Sequence, residues 1–321
     1  MNNKLVVLSD DHVRVEEPFF QVKKDFFEWC LTQEWNNETN LLLHCGDLFH
    51  SNLPNPKEID LVIDFLHRSK FKGIILMSGN GAHEFYRPKK SYAIDALANI
   101  DRVMLVKIPI TITPGNLNIL LLPWVPNRFY DRIDDMKTYY ENLPDEFSNP
   151  AYNYVFGHFA AKAFFDNEID IDYLHGNKRM GHIHFPDEMY LGASTITRKD
   201  EQGFEYHVNL IDMKTGVETL EPIPVFLDYI AVEYPDIPDL GIHQRIYEIF
   251  NAPSKEIARE HYKGYNIHSI HLKDESTNTD DSETSDKTAL SVMEYMKNFI
   301  KEKKIKPPLS TKLIELIKEV S

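Results

Sequence analysis

Cysteine is almost missing from this sequence: Cys30 and Cys45 are the only two in 321 residues, and both lie in apolar stretches. A disulfide-stapled scaffold is excluded, and a reducing cytoplasm is the expected setting. Long apolar runs are missing as well. The start, "MNNKLVVLSD", holds an apolar run too short for a signal peptide or a membrane span. No internal repeat is visible, which removes solenoids and propellers. Positive charge is the third shortage, with 35 Lys and Arg against 50 Asp and Glu and a formal net charge of −15. Proteins that grip nucleic acid unaided carry a basic footprint. This chain as a whole does not, so a polyanionic substrate would have to meet positive charge from metal ions or from a partner protein.

What is present builds a core. A hydrophobic fraction of 42% and an aromatic fraction of 12% exclude disorder of the whole chain. The length suits one large domain with one or two small appendages. Short runs rich in Val, Ile and Leu, "KLVVLSDDH", "NLLLHCGDLFH", "KGIILMSGN", "YNYVFGH" and "KRMGHIH", read as buried strands that end in polar clusters. Helical patterns over about Glu17–Gln33 and Pro56–Ser69 separate the first three. Such alternation predicts a layered α/β domain over residues 1–223, with polar residues gathered at the strand C-termini. Within it, "LNILLLPWVP" adds a strand stopped by Pro123, and "YHVNLIDMKTG" a late strand entering a turn.

Residues 224–272 read as a small α+β unit: "VFLDYIAVEYP" strand-like, "IHQRIYEIFN" helical, "YNIHSIHL" strand-like. Residues 273–287 contain the acidic stretch "KDESTNTDDSETSD", a solvated linker. Residues 288–321 carry Leu290, Met293, Met296, Phe299 and Ile300 at helical spacing and then, after a Pro-Pro break, Leu313, Leu316, Ile317 and Val320. Two short amphipathic helices on a tether have little core of their own and need something to pack on.

The strand-end residues form one chemical set: Asp10, His12, Asp47, Asn80, His158, His182 and His184. Two carboxylates, one amide and four imidazoles suit Mn²⁺, Fe or Zn²⁺ better than Ca²⁺ or Mg²⁺, which prefer oxygen alone. Seven ligands exceed the needs of one ion with an open position, but fit two ions that share a carboxylate. A lone histidine at a strand end is more often structural, and His44 and His67 read that way. The metal reading rests on five polar clusters in order, each after a strand-like run.

In this order "SDDH", "GDLFH", "GN", "GH" and "GHIH" resemble the calcineurin-like metallophosphoesterase superfamily, whose fold is a layered α/β sandwich. More narrowly, "GDLFHSNLPNPKEI" looks like the SbcD-type DNA double-strand-break nuclease subunit, and the nuclease subunits of tailed-phage recombination complexes are the nearest likeness. There "YLGASTITRKDEQGFEYHVNLIDMKTG" and the acidic linker before "ALSVMEYMKNFI" also have counterparts. The resemblance implies that Asp10, His12, Asp47 and His184 hold one metal ion. It implies that Asp47, Asn80, His158 and His182 hold the other, with Asp47 bridging, and that the pair is Mn²⁺. It implies His50 as an assistant at the scissile phosphate, residues 224–272 as a capping domain, and residues 288–321 as the docking element for an SbcC-type ABC/SMC-like ATPase. Location would be the cytoplasm, that of the host cell for a phage protein, and whether the chain forms a homodimer is left open.

One stretch departs from the pattern. In the family a catalytic histidine directly follows the ligand Asn, with an acid after it. Here "MSGNGAHEFYRP" places Gly81 and Ala82 between Asn80 and His83-Glu84. Two extended residues would carry the imidazole roughly 7 Å away. A bulge made possible by φ > 0 at Gly81 would return it, and His83 is then the expected proton donor. The bland alternative puts Gly81 in the histidine slot and His83 on the surface.

The leading expectation is thus a Mn²⁺-dependent DNA nuclease subunit with 3′–5′ exonuclease and endonuclease activity, gated by the ATPase. Arg87, Lys89, Lys90, Lys178 and Arg179 are candidate local cations for DNA. A phosphoesterase acting on small molecules or phosphoproteins is the competing enzyme. A metal-binding scaffold that no longer cuts is the non-enzymatic alternative.

Overall fold

Lys4–Leu8 (β1), Leu41–His44 (β2) and Gly73–Met77 (β3) are three of the apolar runs, and they pair in parallel, β1 with β2 and β2 with β3. The computed structural model describes residues 3–126, 136–161, 169–233, 235–236, 244–263 and 267–272. The linker and terminal helices expected over 273–287 and 288–321 lie outside them. Val103–Val106 (β6) adds a fourth parallel strand beside β3, while His207–Asp212 (β11) and Glu218–Pro222 (β12) extend the other edge antiparallel. The order is β12-β11-β1-β2-β3-β6. A second sheet has the order β10-β9-β8-β7, from Ile110–Ile112 (β7), Ile119–Leu122 (β8), Tyr154–His158 (β9) and Asn177–Gly181 (β10). A two-strand ribbon, Phe85–Tyr86 (β4) with Ser91–Tyr92 (β5), projects beyond β3.

Period-two alternation explains the layering. Leu5, Val7, Leu43, Ile75 and Met77 face the second sheet and meet Ile119, Leu121, Tyr154 and Phe156. Val6, Leu8, Leu42, Ile74 and Leu76 face the other way, onto Phe19–Thr32 (α1) and Pro56–Arg68 (α2) through Phe26, Phe27, Val62, Phe65 and Leu66. On the far side of the second sheet, Leu120, Leu122 and Val155 pack beneath Met136–Tyr140 (α3) through Tyr140. The short helix Asp145–Ser148 (α4) follows α3. The result is a four-layer α/β/β/α sandwich, the layered architecture expected from the alternation. Helix α2 starts where its sequence says it should. Asn55 caps it, Pro56 occupies the first turn, and Glu58 reaches back to Asn55 N at 2.8 Å. Cys30 and Cys45 are free thiols buried in separate core layers, and burial pushes both well above the usual thiol range. No helix among the described residues is long and apolar enough to cross a membrane.

The second unit departs from one expectation. The described part of "IHQRIYEIFN" is not helical: Gln244–Ala252 (β14) is the middle strand of a parallel sheet, between Leu227–Glu233 (β13) and Ile267–Leu272 (β15). Its β-branched and aromatic residues suit a strand once both edges are paired, and Ile246, Tyr247 and Ile249 are buried there. The helix of this unit is Lys255–His261 (α5), capped by Ser254, and it is the crossover from β14 to β15. Leu227 and Ile246 join Val22 of α1 and Ile196 in one apolar cluster, which seats the small unit against the sandwich.

Candidate metal centre

The C-termini of β1, β2, β3, β9 and β10 deliver the seven expected ligand residues to one edge of the sandwich. The loops after β1 and β2 run side by side: Asp10 N donates to Gly46 O at 3.1 Å and His12 N to Asp47 O at 2.9 Å. Their backbones are bent sharply. Asp10, His12, Asp47 and His182 all have left-handed φ, at 53°, 45°, 52° and 81°. Non-glycine residues hold such angles at about 1–3 kcal/mol each, a cost that clusters at functional sites. The crowding also explains a glycine. A Cβ on Gly79 would lie 2.0 Å from Asp47 Oδ1, so only glycine lets β3 bring Asn80 alongside that carboxylate.

Among the described residues three groups of donors result, Asp10–His12–His184, Asp47–His158–His182 and, without a carboxylate, His12–His50–His83, each with its donor atoms within 4.8 Å of one another. Asp47 joins the first two, its Oδ2 lying 3.2 Å from His158 Nε2 and 3.8 Å from His12 Nε2. His12 Nε2 is also 3.8 Å from Asp10 Oδ1 and 2.9 Å from His184 Nε2. Two rings have one nitrogen already committed: His158 Nδ1 lies 2.7 Å from Cys45 O, and His184 Nδ1 lies 2.5 Å from Glu201 Oε1. Each ring therefore turns Nε2 inward, as a second hydrogen-bonding partner does for a metal-bound histidine. His158 Nε2 is buried and faces the Asp47 carboxylate at 3.2 Å.

The electrostatics select positive charge. Asp10 and Asp47 are buried, which alone would raise them, yet the imidazoles of His158 and His12 hold both below the usual carboxylate range. Although burial works against it, His158 is lifted to about 9 by the Asp47 and Asp10 carboxylates. Burial and the charge of His158 push His182 down to about 4, so that ring is a neutral lone-pair donor. Buried carboxylates that attract positive charge, beside His12 and His182 rings that burial holds below the usual imidazole range, suit divalent cations. Asn80 donates Nδ2 to Asp47 Oδ2 at 2.6 Å and accepts from Ala82 N through Oδ1 at 2.9 Å. Offering its oxygen to a cation requires the amide to turn about χ2.

The inserted stretch folds as a turn. His83 N and Glu84 N both donate to Asn80 O, at 3.1 and 2.8 Å, and this turn carries His83 back over the donor groups. Its ring lies 4.5 Å from that of His12 and 5.2 Å from that of His50. No left-handed φ at Gly81 is used, contrary to the expected bulge. Glycine is needed there because a Cβ would sit 2.6 Å from the Trp124 ring. Glu84 braces the turn from below, accepting from Leu48 N at 3.0 Å. Burial, then the charge of Asp47, raises Glu84 to about 8, so it stays neutral and adds no second anion beside Asp47. His83 Nδ1 lies 2.5 Å from His50 O, which leaves Nε2 for a bound substrate. Burial and the neighbours Arg14, His12 and His83 lower His50 to about 4, which suits it to neutral hydrogen bonding. His50, His83, His12, Asp47, Asn80 and His184 line one cleft of about 540 Å³.

Two features escaped the sequence reading. Glu201, seventeen positions after His184, is buried and also accepts from Thr197 N at 2.6 Å. Glu201→Gln should weaken divalent-ion binding about 10- to 100-fold, measured by titration calorimetry, because the outer partner fixes the ring and its basicity. An unchanged affinity would mean that Thr197, 3.1 Å from the same His184 nitrogen, suffices. Beneath the centre, Asp11 pairs with Lys23 Nζ at 3.0 Å and with His44 Nε2 at 3.1 Å, all three buried. His44 is thus structural, as expected, but in an ion-paired network. Lys23→Met should cost about 3–5 kcal/mol in urea unfolding, since it strands a buried carboxylate. Near-parental stability would show that His44 offsets Asp11 alone. Among the expected surface cations, Arg179 is committed to Glu218, at 2.5 Å, whereas Arg87, Lys89 and Lys90 are exposed.

No protein-family model and no curated protein matches the chain. Among solved structures it is similar to an archaeal phosphodiesterase, with 11% identity, a TM-score of 0.36, and coverage of 68% of this chain and 99% of that one. It is also similar to a protein of unknown function from Aquifex aeolicus, with 14% identity, a TM-score of 0.31, and coverage of 52% and 83%.

Proposed function

We propose that the protein is a two-metal phosphodiesterase and, more narrowly, a DNA nuclease subunit of the SbcD type. One observation carries the hydrolytic reading: two His/Asp donor groups joined at Asp47, on the floor of a cleft walled by His50 and His83. Asp10, His12, Asp47 and His184 would hold one divalent cation, and Asp47, Asn80, His158 and His182 a second, Mn²⁺ being the proposed metal. Such a pair supplies charge stabilisation to the transferring phosphoryl group and lowers the pKa of attacking water. The chain's own contribution is orientation and protons. Cys45 O and Glu201 fix the His158 and His184 rings, His50 donates a neutral hydrogen bond to the phosphate, and His83 Nε2 delivers a proton to the leaving oxygen.

DNA as substrate is supported by the "GDLFH" resemblance and by the presence of His83 over the donor groups. Residues 288–321 are proposed to dock an ABC/SMC-like ATPase, which would also supply the basic surface this acidic chain lacks. The decisive assay uses the full chain with Mn²⁺, with and without that ATPase, on labelled duplex, single strand and a p-nitrophenyl diester. Metal-dependent DNA cleavage is expected. Diester turnover without DNA cleavage would replace the nuclease reading with a small-substrate phosphoesterase, and bound metal with neither activity would leave a scaffold.

A further inference from the structure

Phe185 directly follows the donor His184, yet its side chain is 51% exposed. Its ring meets Phe204 edge to face, with centroids 5.1 Å apart and planes at 82°. Phe204 in turn rests on Tyr206, 6.3 Å away, whose ring packs among the apolar residues that seat the small unit on the sandwich. The pair lines the cleft of the donor groups and also a neighbouring cavity of about 560 Å³. Both rings therefore form a partition between the place where a phosphodiester would be cut and an adjoining recess.

The recess has the wrong charge for a second phosphate. Asp187, Glu188 and Glu205 line it, and its cation Arg179 is tied to Glu218. On the cleft side, Arg198 holds its Nε 3.2 Å from Glu201 with 62% of its side chain exposed, a cation placed for the chain of phosphates and not for the base. A flat, uncharged group with N–H donors at its edge fits this wall, stacking on a ring and presenting its donors to carboxylates. We propose that Phe185 and Phe204 form a stacking subsite for the nucleobase of the nucleotide beside the scissile phosphate. This rests on the nucleic-acid reading given above, and it adds that the substrate is held there as an unpaired, splayed base, with no preference imposed by base pairing.

The test uses the full chain with Mn²⁺ and a single-stranded oligodeoxynucleotide carrying one cleavable linkage, flanked by either a base or an abasic residue. Phe185→Ala should lower kcat/KM on the intact substrate by about 5- to 150-fold, the range that base–aromatic stacking is worth. Parent and variant should converge on the abasic substrate. Phe185→Trp, which keeps a stacking surface, should restore the preference for the base. Independently of turnover, 5-iodouracil at that nucleotide, irradiated in EDTA, should crosslink to Phe185 or Phe204 by peptide mass mapping. Equal losses on the two substrates, or a crosslink confined to other residues, would overturn the subsite and leave the nuclease reading standing. A parent protein that hydrolyses the simple diester but no DNA would remove both.

Discussion

Asp47→Asn protein should bind fewer divalent ions than the parent and hydrolyse phosphodiesters about 10³-fold more slowly. The substitution keeps the size of the side chain and an oxygen able to accept the Asn80 backbone N–H, now 2.7 Å from Oδ1. A flip of the Asn80 amide, which now donates to Oδ2 at 2.6 Å, relieves the new donor–donor contact, so the fold should survive. The substitution removes the carboxylate whose Oδ2 lies 3.2 Å from His158 Nε2 and 3.8 Å from His12 Nε2. A neutral amide cannot offset the mutual repulsion of two dications, and the second ion should be the weaker after the change. Asp10 remains with His12 and His184, so one ion is expected to persist. Metal analysis after gel filtration, read beside the rate, separates these effects. The His158 resonance gives a third readout without metal. Asp47 and Asp10 together lift that ring to about 9 against its burial, and with Asp47 neutral it should titrate lower. Full occupancy of two ions and a parental rate would remove Asp47 from its bridging position and with it the two-metal reading.

The layered fold was legible because its strands are buried on both faces. Runs such as "KLVVL" and "GIILM" have no polar alternation, and only a strand between two packed layers requires that. The donor residues were legible because each closes such a run, so one pattern located both strand and ligand. Legibility failed where identity depends on a distant partner. "IHQRIYEIFN" was misassigned although both flanking strands were read correctly, because its helix-compatible spacing gives no sign that β13 and β15 pair on either side of it. Glu201 is an ordinary surface-type acid in sequence, and reaches His184 only through the turn that begins at Thr197. At the Gly81 insertion the return of His83 was read correctly but its means, a left-handed φ at Gly81, was not, for the same reason. The turn depends on Trp124, more than forty positions away, whose ring leaves space for hydrogen but not for a methyl group.

That turn sets the second large expected effect. His83→Ala should slow DNA cleavage about 10²- to 10⁴-fold while leaving metal content at the parental level, because His83 groups only with His12 and His50 and shares neither group that holds a carboxylate. The loss should depend on the leaving group. A deoxyribose oxygen must gain a proton as its bond to phosphorus breaks, whereas p-nitrophenolate leaves readily without one. A p-nitrophenyl diester should therefore be hydrolysed by the variant at nearly the parental rate. His50 offers no substitute, since partial burial and the charge of Arg14 lower it to about 4 and leave it unprotonated at neutral pH. Gly81→Ala reports on the same point from the other side. Its methyl group would meet the Trp124 ring at 2.6 Å, displacing the turn and moving His83 off the donors, so its kinetic signature should resemble that of His83→Ala. Equal losses on DNA and on the p-nitrophenyl diester would assign His83 to phosphate binding instead of proton delivery. No loss on either would return it to the surface.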